Sequence, residues 1–198
     1  MGKAAAGAKD LHVSYAALTA ERWPDFEKLF GPRGACGGCW CMFWRLRRKE
    51  FEAGKGEGNR EAMKTLIEGG IVPGILAYAG EEPIGWCSVS PRESFPALAN
   101  SRIFQPVDDK PVWSVTCLFV HRKFRKQGVS VGLLRAAAAH VKRSGGRMVE
   151  GYAVEPKSEK AIPAAFAWNG TAAAYEKAGF REVRRRSETR LIMRLAVR

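Results

Sequence analysis

The segment at 112–143 constrains the possible folds of this chain more than any other. VWSVTCLFV at 112–120 is rich in β-branched and aromatic residues and carries no charge, as expected of a central strand covered on both faces. The basic loop HRKFRKQGVS follows at 121–130. Val131, Leu134, Ala138 and Val141 then recur at helical spacing until Gly145 and Gly146 stop the pattern. A strand that passes through a basic turn into an amphipathic helix calls for an α+β architecture, and the rest of the chain must supply that strand with neighbours.

Those neighbours are legible. Residues 11–18 read as a first strand, and 23–30 as a short helix with Pro24 in its first turn. In 60–68, Ala62, Met63, Leu66 and Ile67 make a helical stripe that ends at Gly69 and Gly70. Strands are expected at 75–79 and 84–90, joined by the turn Gly80-Glu81-Glu82-Pro83. The segment 91–110, broken by Pro91, Pro96 and Pro106, reads as an irregular excursion able to shape a binding site. A strand at 148–154, a helix at 171–178 closed by Gly179, and strands at 182–186 and 191–197 complete a mixed sheet. With 198 residues, 46% of them hydrophobic, the expectation is a single domain over 11–198 behind a flexible Ala/Gly-rich tail at 1–10.

Charge divides the chain unevenly. Residues 1–100 carry 13 basic and 12 acidic side chains, whereas 101–198 carry 20 and 8, so the halves stand at +1 and +12. The second half should attract polyanions, or else present a solvated basic face that aids solubility. The longest uncharged run, 161–175, is interrupted by Pro163, Asn169 and Gly170, and spanning a bilayer takes about 20 mostly apolar residues. No membrane segment is expected. The N-terminus lacks an apolar signal stretch, so a cytoplasmic protein is the expectation. Cys36, Cys39, Cys41, Cys87 and Cys117 are odd in number, which argues against a disulfide framework. Cys36 and Cys39 have the Cys-x-x-Cys spacing of a zinc pair but no second pair follows. With Trp40, Phe43 and Trp44 beside them, a thiol cluster that is buried or lines a pocket is expected rather than a metal site.

The junction at Arg125-Lys126-Gln127-Gly128-Val129-Ser130 is where chemistry is expected. Amides in the first turn of a helix lack intrahelical partners, and a glycine lets a ligand approach the backbone. A pyrophosphate can be cradled there. Neither dinucleotide-binding nor nucleotide-loop glycine spacing occurs around Gly128. In isolation, a basic loop before a helix equally describes a solvated connection.

Order and spacing carry a resemblance. A strand ending Leu118-Phe119-Val120, then Arg125-x-x-Gly128-x-Ser130, an amphipathic helix, a further strand, and Tyr175-Glu176-Lys177-Ala178-Gly179-Phe180 together resemble the GNAT superfamily of acetyl-CoA-dependent N-acetyltransferases. The resemblance covers nearly the whole chain. It implies a central mixed, mostly antiparallel sheet flanked by helices. By the resemblance, main chain at Leu118, Phe119 and Val120 would bond the pantetheine arm of acetyl-CoA. Arg125, Lys126, Gln127, Gly128, Val129 and Ser130 would bind its pyrophosphate, with Ser130, a competent N-cap, in place of the usual last small residue. Tyr175 would donate a proton to the departing coenzyme A thiolate. Asn169 stands six residues before Tyr175 where family members often place an Asn seven before.

Direct transfer also needs a base. Glu150, inside the apolar stretch VEGYAV, is the first candidate, ahead of Glu155 and His121, and a salt-bridged structural Glu150 is the alternative. Cys117 or Cys41 as a nucleophile would give a ping-pong route, but no His stands at a telling spacing. The acceptor is expected between segment 20–70 and the 91–110 excursion, with Cys39, Trp40, Cys41 and Trp44 lining the site. A small amine, an antibiotic, a peptide N-terminus and a lysine side chain all fit. A homodimer is compatible with the family. Two other readings remain: a nucleic-acid-binding module that uses the basic half, with Phe119 and Phe124 for stacking though no nucleic-acid motif, and an acyl-CoA sensor without turnover.

Overall fold

A computed structural model describes residues 11–156 and 168–198, so the expected tail at 1–10 lies outside the described residues. Seven strands form one sheet: β1 Val13–Ala17, β2 Gly74–Ala79, β3 Glu82–Pro91, β4 Trp113–Val120, β5 Met148–Val154, β6 Arg181–Ser187 and β7 Arg190–Ala196. Their spatial order is β1-β2-β3-β4-β5-β7-β6, which puts the uncharged strand β4 in the centre. Every neighbouring pair is antiparallel except β4 and β5. The crossover between those two parallel strands is made by helix α5, Val129–Arg143.

The remaining helices are α1 Trp23–Phe30, α2 Arg48–Ala53, α3 Glu57–Glu68, α4 Pro96–Ala99 and α6 Ala172–Lys177. Strand and helix expectations hold to within a few residues, with two additions. Helix α2 escapes a periodicity reading because RKEFEA offers one apolar residue, Phe51, which is buried. The irregular excursion contains the single turn of α4, whose Ala97 N–H bonds Trp44 O.

Two apolar layers clamp the sheet. On one face Leu133, Leu134, Ala137 and Val141 of α5 pack with Val115, Leu118 and Val149. On the other, Phe26 and Phe30 of α1 and Met63 and Ile67 of α3 pack against Leu76 and Trp86. A smaller cluster, Phe95, Leu98, Phe104, Tyr152 and Ile192, lies under the excursion. Strand β6 forms an outer edge and is almost wholly exposed, with arginines at 181, 184, 185 and 186, a composition that discourages edge-to-edge pairing.

The parallel pair is short. Trp113, Ser114 and Val115 are registered with Val149, Glu150 and Gly151, and beyond them β4 and β5 part. A bulge in the β3–β4 register lies at Ser88 and Val89, opposite Cys117 and Val115. Tyr175 of α6 closes down on β5 at Gly151, where an added Cβ would lie 2.1 Å from the tyrosine ring. Gly151→Ala should therefore destabilise the fold by about 1–3 kcal/mol or more through overpacking. The melting temperature should fall by several degrees while the circular dichroism spectrum of the folded chain stays the same.

Candidate functional site

The wedge between β4 and β5 is built around backbone groups that the sheet leaves unpaired. Residues 168–171 enter it and supply partners. Leu118 N–H donates to Trp168 O at 2.6 Å, Asn169 Nδ2 donates to Thr116 O at 3.2 Å, and Val154 N–H donates to Gly170 O at 2.9 Å. The sheet interior cannot leave such groups bare. The Leu118 amide expected to hold a pantetheine arm is thus already engaged, and Val120 O accepts from Arg125 Nε at 3.0 Å. Phe119 points the other way, into the aromatic layer beside Phe30.

Tyr175 and Asn169 meet in this wedge. The Tyr175 hydroxyl is fully buried and donates to Asn169 O at 3.0 Å. Burial pushes its pKa well above the ordinary phenol value, so it is protonated at any physiological pH. Thr171 caps α6 by accepting from Ala174 N–H at 3.3 Å, which fixes the helix that carries the tyrosine.

At the start of α5 the backbone is arranged for an anion. Lys126 and Gly128 adopt left-handed φ values of 62° and 80°, and Gly128, not Ser130, is the N-cap. Serine makes no capping bond because it lies one residue inside the helix. Gly132 N–H closes the first turn on Gly128 O. Among the described residues, the amides of Gln127, Gly128, Val129, Ser130 and Val131 have no hydrogen-bond partner. An added Cβ at Gly128 would meet nothing within 4 Å, so the turn opens on free space. Beside it lies a cavity of about 530 Å³, lined by Gln127, Gly128, Val129 and Gly132 and by the basic side chains Arg135 and Lys177. Unpaired amides, a helix N-terminus and two cations are a combination that can receive an anion.

Glu150 lies at the closed end of the wedge, registered with Ser114. It is wholly buried and both carboxylate oxygens are occupied. Oε1 accepts from Arg92 Nη1 at 3.2 Å and from the Tyr152 hydroxyl at 2.9 Å, and Oε2 accepts from Arg194 Nε at 2.8 Å. Arg194 in turn pairs with Asp108 at 2.8 Å. This is the structural alternative raised for Glu150: a carboxylate that fixes the end of β5 through two guanidinium groups.

The four residues expected to line the acceptor site separate. Trp40 and Cys41 are each 5% exposed and belong to the core, Trp40 stacked on Phe30 at 5.8 Å and on Trp23 at 6.3 Å. Cys39 is half-buried, and burial lifts its pKa to about 11. Trp44 is half-buried and stacks on Trp168 at 6.0 Å, with the exposed Phe43 edge-on to both. An aromatic group therefore stands beside the residue whose carbonyl caps Leu118. A second cavity, about 380 Å³, is lined entirely by residues within 92–112, among them Arg92, Glu93, Phe95 and Asp108.

Sequence reasoning missed Arg45, which is 6% exposed and donates to Pro73 O, Ser88 and Ser90. Its setting in the charged string RLRRKE gives no sign of burial. Among the described residues no three metal-ligating side chains converge, and no helix is long and apolar enough to cross a membrane.

The profile of the acetyltransferase (GNAT) family matches residues 40–180. No protein of curated function matches the chain significantly. Among solved structures, an acetyltransferase of the GNAT family from Listeria monocytogenes superposes with a TM-score of 0.54 at 8% identity, covering 93% of this chain and 94% of that one. The PaiA N-acetyltransferase from Thermoplasma acidophilum, solved with coenzyme A, gives a TM-score of 0.51 at 13% identity, covering 93% and 99%. The NatC complex bound to Gag peptide and coenzyme A gives 0.53 at 12% identity, covering 94% and 99%. These identities speak for the fold alone, and the fold is the mixed, mostly antiparallel sheet flanked by helices that the sequence implied. Central strand, opened β4–β5 pair, glycine-capped helix and a family profile that spans most of the chain agree: this protein belongs to the GNAT acetyltransferase family.

Proposed function

We propose that the protein transfers an acetyl group from acetyl-CoA to an amine. The observation that carries this reading is the run of unpaired amides from Gln127 to Val131, at the head of a helix and beside a basic cavity. It supports binding of the cosubstrate pyrophosphate by Arg125, Lys126, Gln127, Gly128, Val129 and Ser130, with Arg135 and Lys177 on the cavity wall. From there the pantetheine arm would run into the wedge and add to β4 as a short strand. In that arrangement it takes over the Leu118 amide from Trp168 O and lies against Asn169, so the wedge exchanges one set of backbone partners for another.

The thioester would then face the sheet beside Tyr175. The amine nitrogen attacks the carbonyl carbon, the carbon–sulfur bond breaks, the thiolate takes a proton from the Tyr175 hydroxyl, which turns from Asn169 O to the sulfur, and the proton that the nitrogen sheds in becoming the amide passes through water and restores the hydroxyl. Burial keeps the proton on Tyr175 until it is called for, and its transfer to sulfur relies on the thiolate's charge developing beside the hydroxyl. Glu150 has both oxygens committed to arginines and tyrosine, which supports a positioning role for it at the end of β5 rather than proton abstraction. The acceptor is best served by the aromatic group of Phe43, Trp44 and Trp168, which is continuous with the wedge; Cys39 lies on the same segment, while Trp40 and Cys41 support it from the core.

Acetyl-CoA at millimolar concentration should raise the melting temperature of the native chain, since a ligand that binds only the folded state stabilises it. Gly128→Leu should abolish most of that rise, because a branched side chain at a φ of 80° is strained and fills the approach to the amides. No rise with the native chain would remove the basis for the reading. Tyr175→Phe should lower turnover by about 10²–10⁴-fold while acetyl-CoA affinity is nearly preserved, measured by release of coenzyme A thiol across a panel of amines. An unchanged rate would exclude Tyr175 as the acid. Glu150→Gln should cost about 3–5 kcal/mol of stability by removing the carboxylate shared by the part-buried Arg92 and the buried Arg194, which then keeps only Asp108. The pH dependence of turnover should keep its shape; a lost acidic limb would instead assign Glu150 as the base.

A further inference from the structure

The segment between α1 and α2 carries a chemistry that acyl transfer does not use. Ala35, Trp40 and Cys41 all have left-handed backbone angles, with φ of 64°, 44° and 61°. Non-glycine residues rarely adopt this conformation, and it persists only where the surroundings enforce it. Its effect is to press Cys41 onto the sheet. The Cys41 sulfur accepts from Trp86 Nε1 at 3.1 Å, and Cys117, registered with Ser88 across β3 and β4, packs against the same cluster.

Above this group lies Arg45. Its Nη2 donates to Pro73 O at 2.9 Å and to Ser90 Oγ at 2.8 Å, while Nε and Nη1 are buried without a partner. The guanidinium rests 4.5 Å from the Phe95 ring centroid, and among the described residues no carboxylate pairs with it. Burial lowers its pKa to about 10, which leaves it charged at neutral pH. A buried cation with no carboxylate needs another counter-charge. The acidic groups around it are thiols. The hydrogen bond from Cys117 holds Cys41 below the ordinary thiol value, with Trp86, Arg45 and Ser88 acting in the same direction against burial. Cys39, Cys87 and Cys117 are all shifted upward and keep their protons. Cys41 is thus the thiol of the group that ionises most readily, and Cys117 packs beside it.

We propose that Cys41 and Cys117 form a hydroperoxide-sensitive dithiol that closes reversibly to a disulfide, with Arg45 as the counter-ion of the attacking Cys41 sulfur. The Cys41 thiolate attacks one peroxide oxygen, the O–O bond breaks, and the leaving oxygen takes up a proton as water or alcohol, leaving Cys41 as a sulfenic acid. The Cys117 sulfur then gives up its proton and attacks the Cys41 sulfur; the S–O bond breaks and the hydroxyl leaves as water. The two sulfurs together lose two electrons and the peroxide gains two. An external dithiol reverses the step. Cys41 is 5% exposed and Cys117 partly buried, so the reaction calls for a reagent as small as hydrogen peroxide. The bond would tie the 34–46 segment to β4 one residue before Leu118. Its formation does not depend on the acyl-transfer reading.

The test is intact-mass and non-reducing peptide mapping of the full chain after brief treatment with hydrogen peroxide at neutral pH. The expected product is two hydrogens lighter, contains a linked Cys41–Cys117 peptide pair, and returns to the starting mass with dithiothreitol. Cys117→Ser should stop at a sulfenic acid on Cys41, trapped by dimedone. Arg45→Met should slow disulfide formation severalfold. If that variant does not fold, the native chain and Cys117→Ser decide alone. Retention of all five free thiols, a disulfide between other cysteines such as Cys36 and Cys39, or dimedone on a residue other than Cys41 would overturn the proposal.

Discussion

Two parallel strands that stay together for only three registered pairs govern the remainder of this structure. Once β4 and β5 part, the main-chain groups of Thr116, Leu118 and Val154 face each other across a gap too wide for sheet bonding, in the middle of a buried layer. Each such group left bare would cost as much as a lost hydrogen bond. The chain answers by sending 168–171 into the gap, and α6 must then start at Thr171 and bring Tyr175 down against Gly151. Glycine at 151 and at 170 follows from the same constraint, since a Cβ at 151 would collide with the tyrosine ring and one at 170 with Leu118. In the proposed reaction an extended ligand carrying amides of its own would take the place of part of this segment, because the backbone partners are alike.

Polar burial is handled in two opposite ways on the sheet face away from α5. Under the excursion, Glu150 is the meeting point of Arg92, Arg194 and Tyr152, with Asp108 and Ser114 completing the ring of partners, so charge and hydrogen bonding are balanced. A few residues along, Arg45 is buried with three good acceptors on one nitrogen and nothing on the other two. The first arrangement rigidifies the end of β5. The second leaves a positive charge whose nearest acids are thiols, and this is why cysteines in a chain without a disulfide framework still require a chemical account.

Legibility followed the strength of the local signal. The strand at 113–120, the helix after it and the hairpin around Gly80 were readable because periodicity, turn residues and breakers agreed. The glycine at the start of α5 was readable as a turn into a helix for the same reason, and the structure makes it the N-cap. Charged residues misled. Arg45 and Arg194 look like surface in the sequence and are 6% and 9% exposed, because pairing that spans the fold is invisible to a local reading. Trp40 and Cys41 were read as a pocket wall from composition, yet left-handed turns at those very residues direct them into the core. Asn169, noted in the sequence only for standing six residues before Tyr175, holds Thr116 O with its side chain and the Tyr175 hydroxyl with its carbonyl.

The basic excess of the second half also takes on a more local meaning. Arg185 is paired with Glu155 and Glu182, Arg186 donates to the carbonyls of Gln105 and Pro106, and Arg194 is buried on Glu150 and Asp108. These arginines hold the excursion and the β6–β7 hairpin to the sheet, so they contribute to the net charge without offering it to a partner. Cations at the α5 cavity differ in kind: Lys177 and Arg135 line open space beside unpaired amides, with Arg135 steadied by its bond to Lys177 O at 2.7 Å. Long-range attraction scales with the whole charge of a surface, whereas a diphosphate is held by donors within reach of its oxygens. A chain that spends much of its basic excess on internal struts and keeps a few cations around a glycine-capped helix is built for the second task.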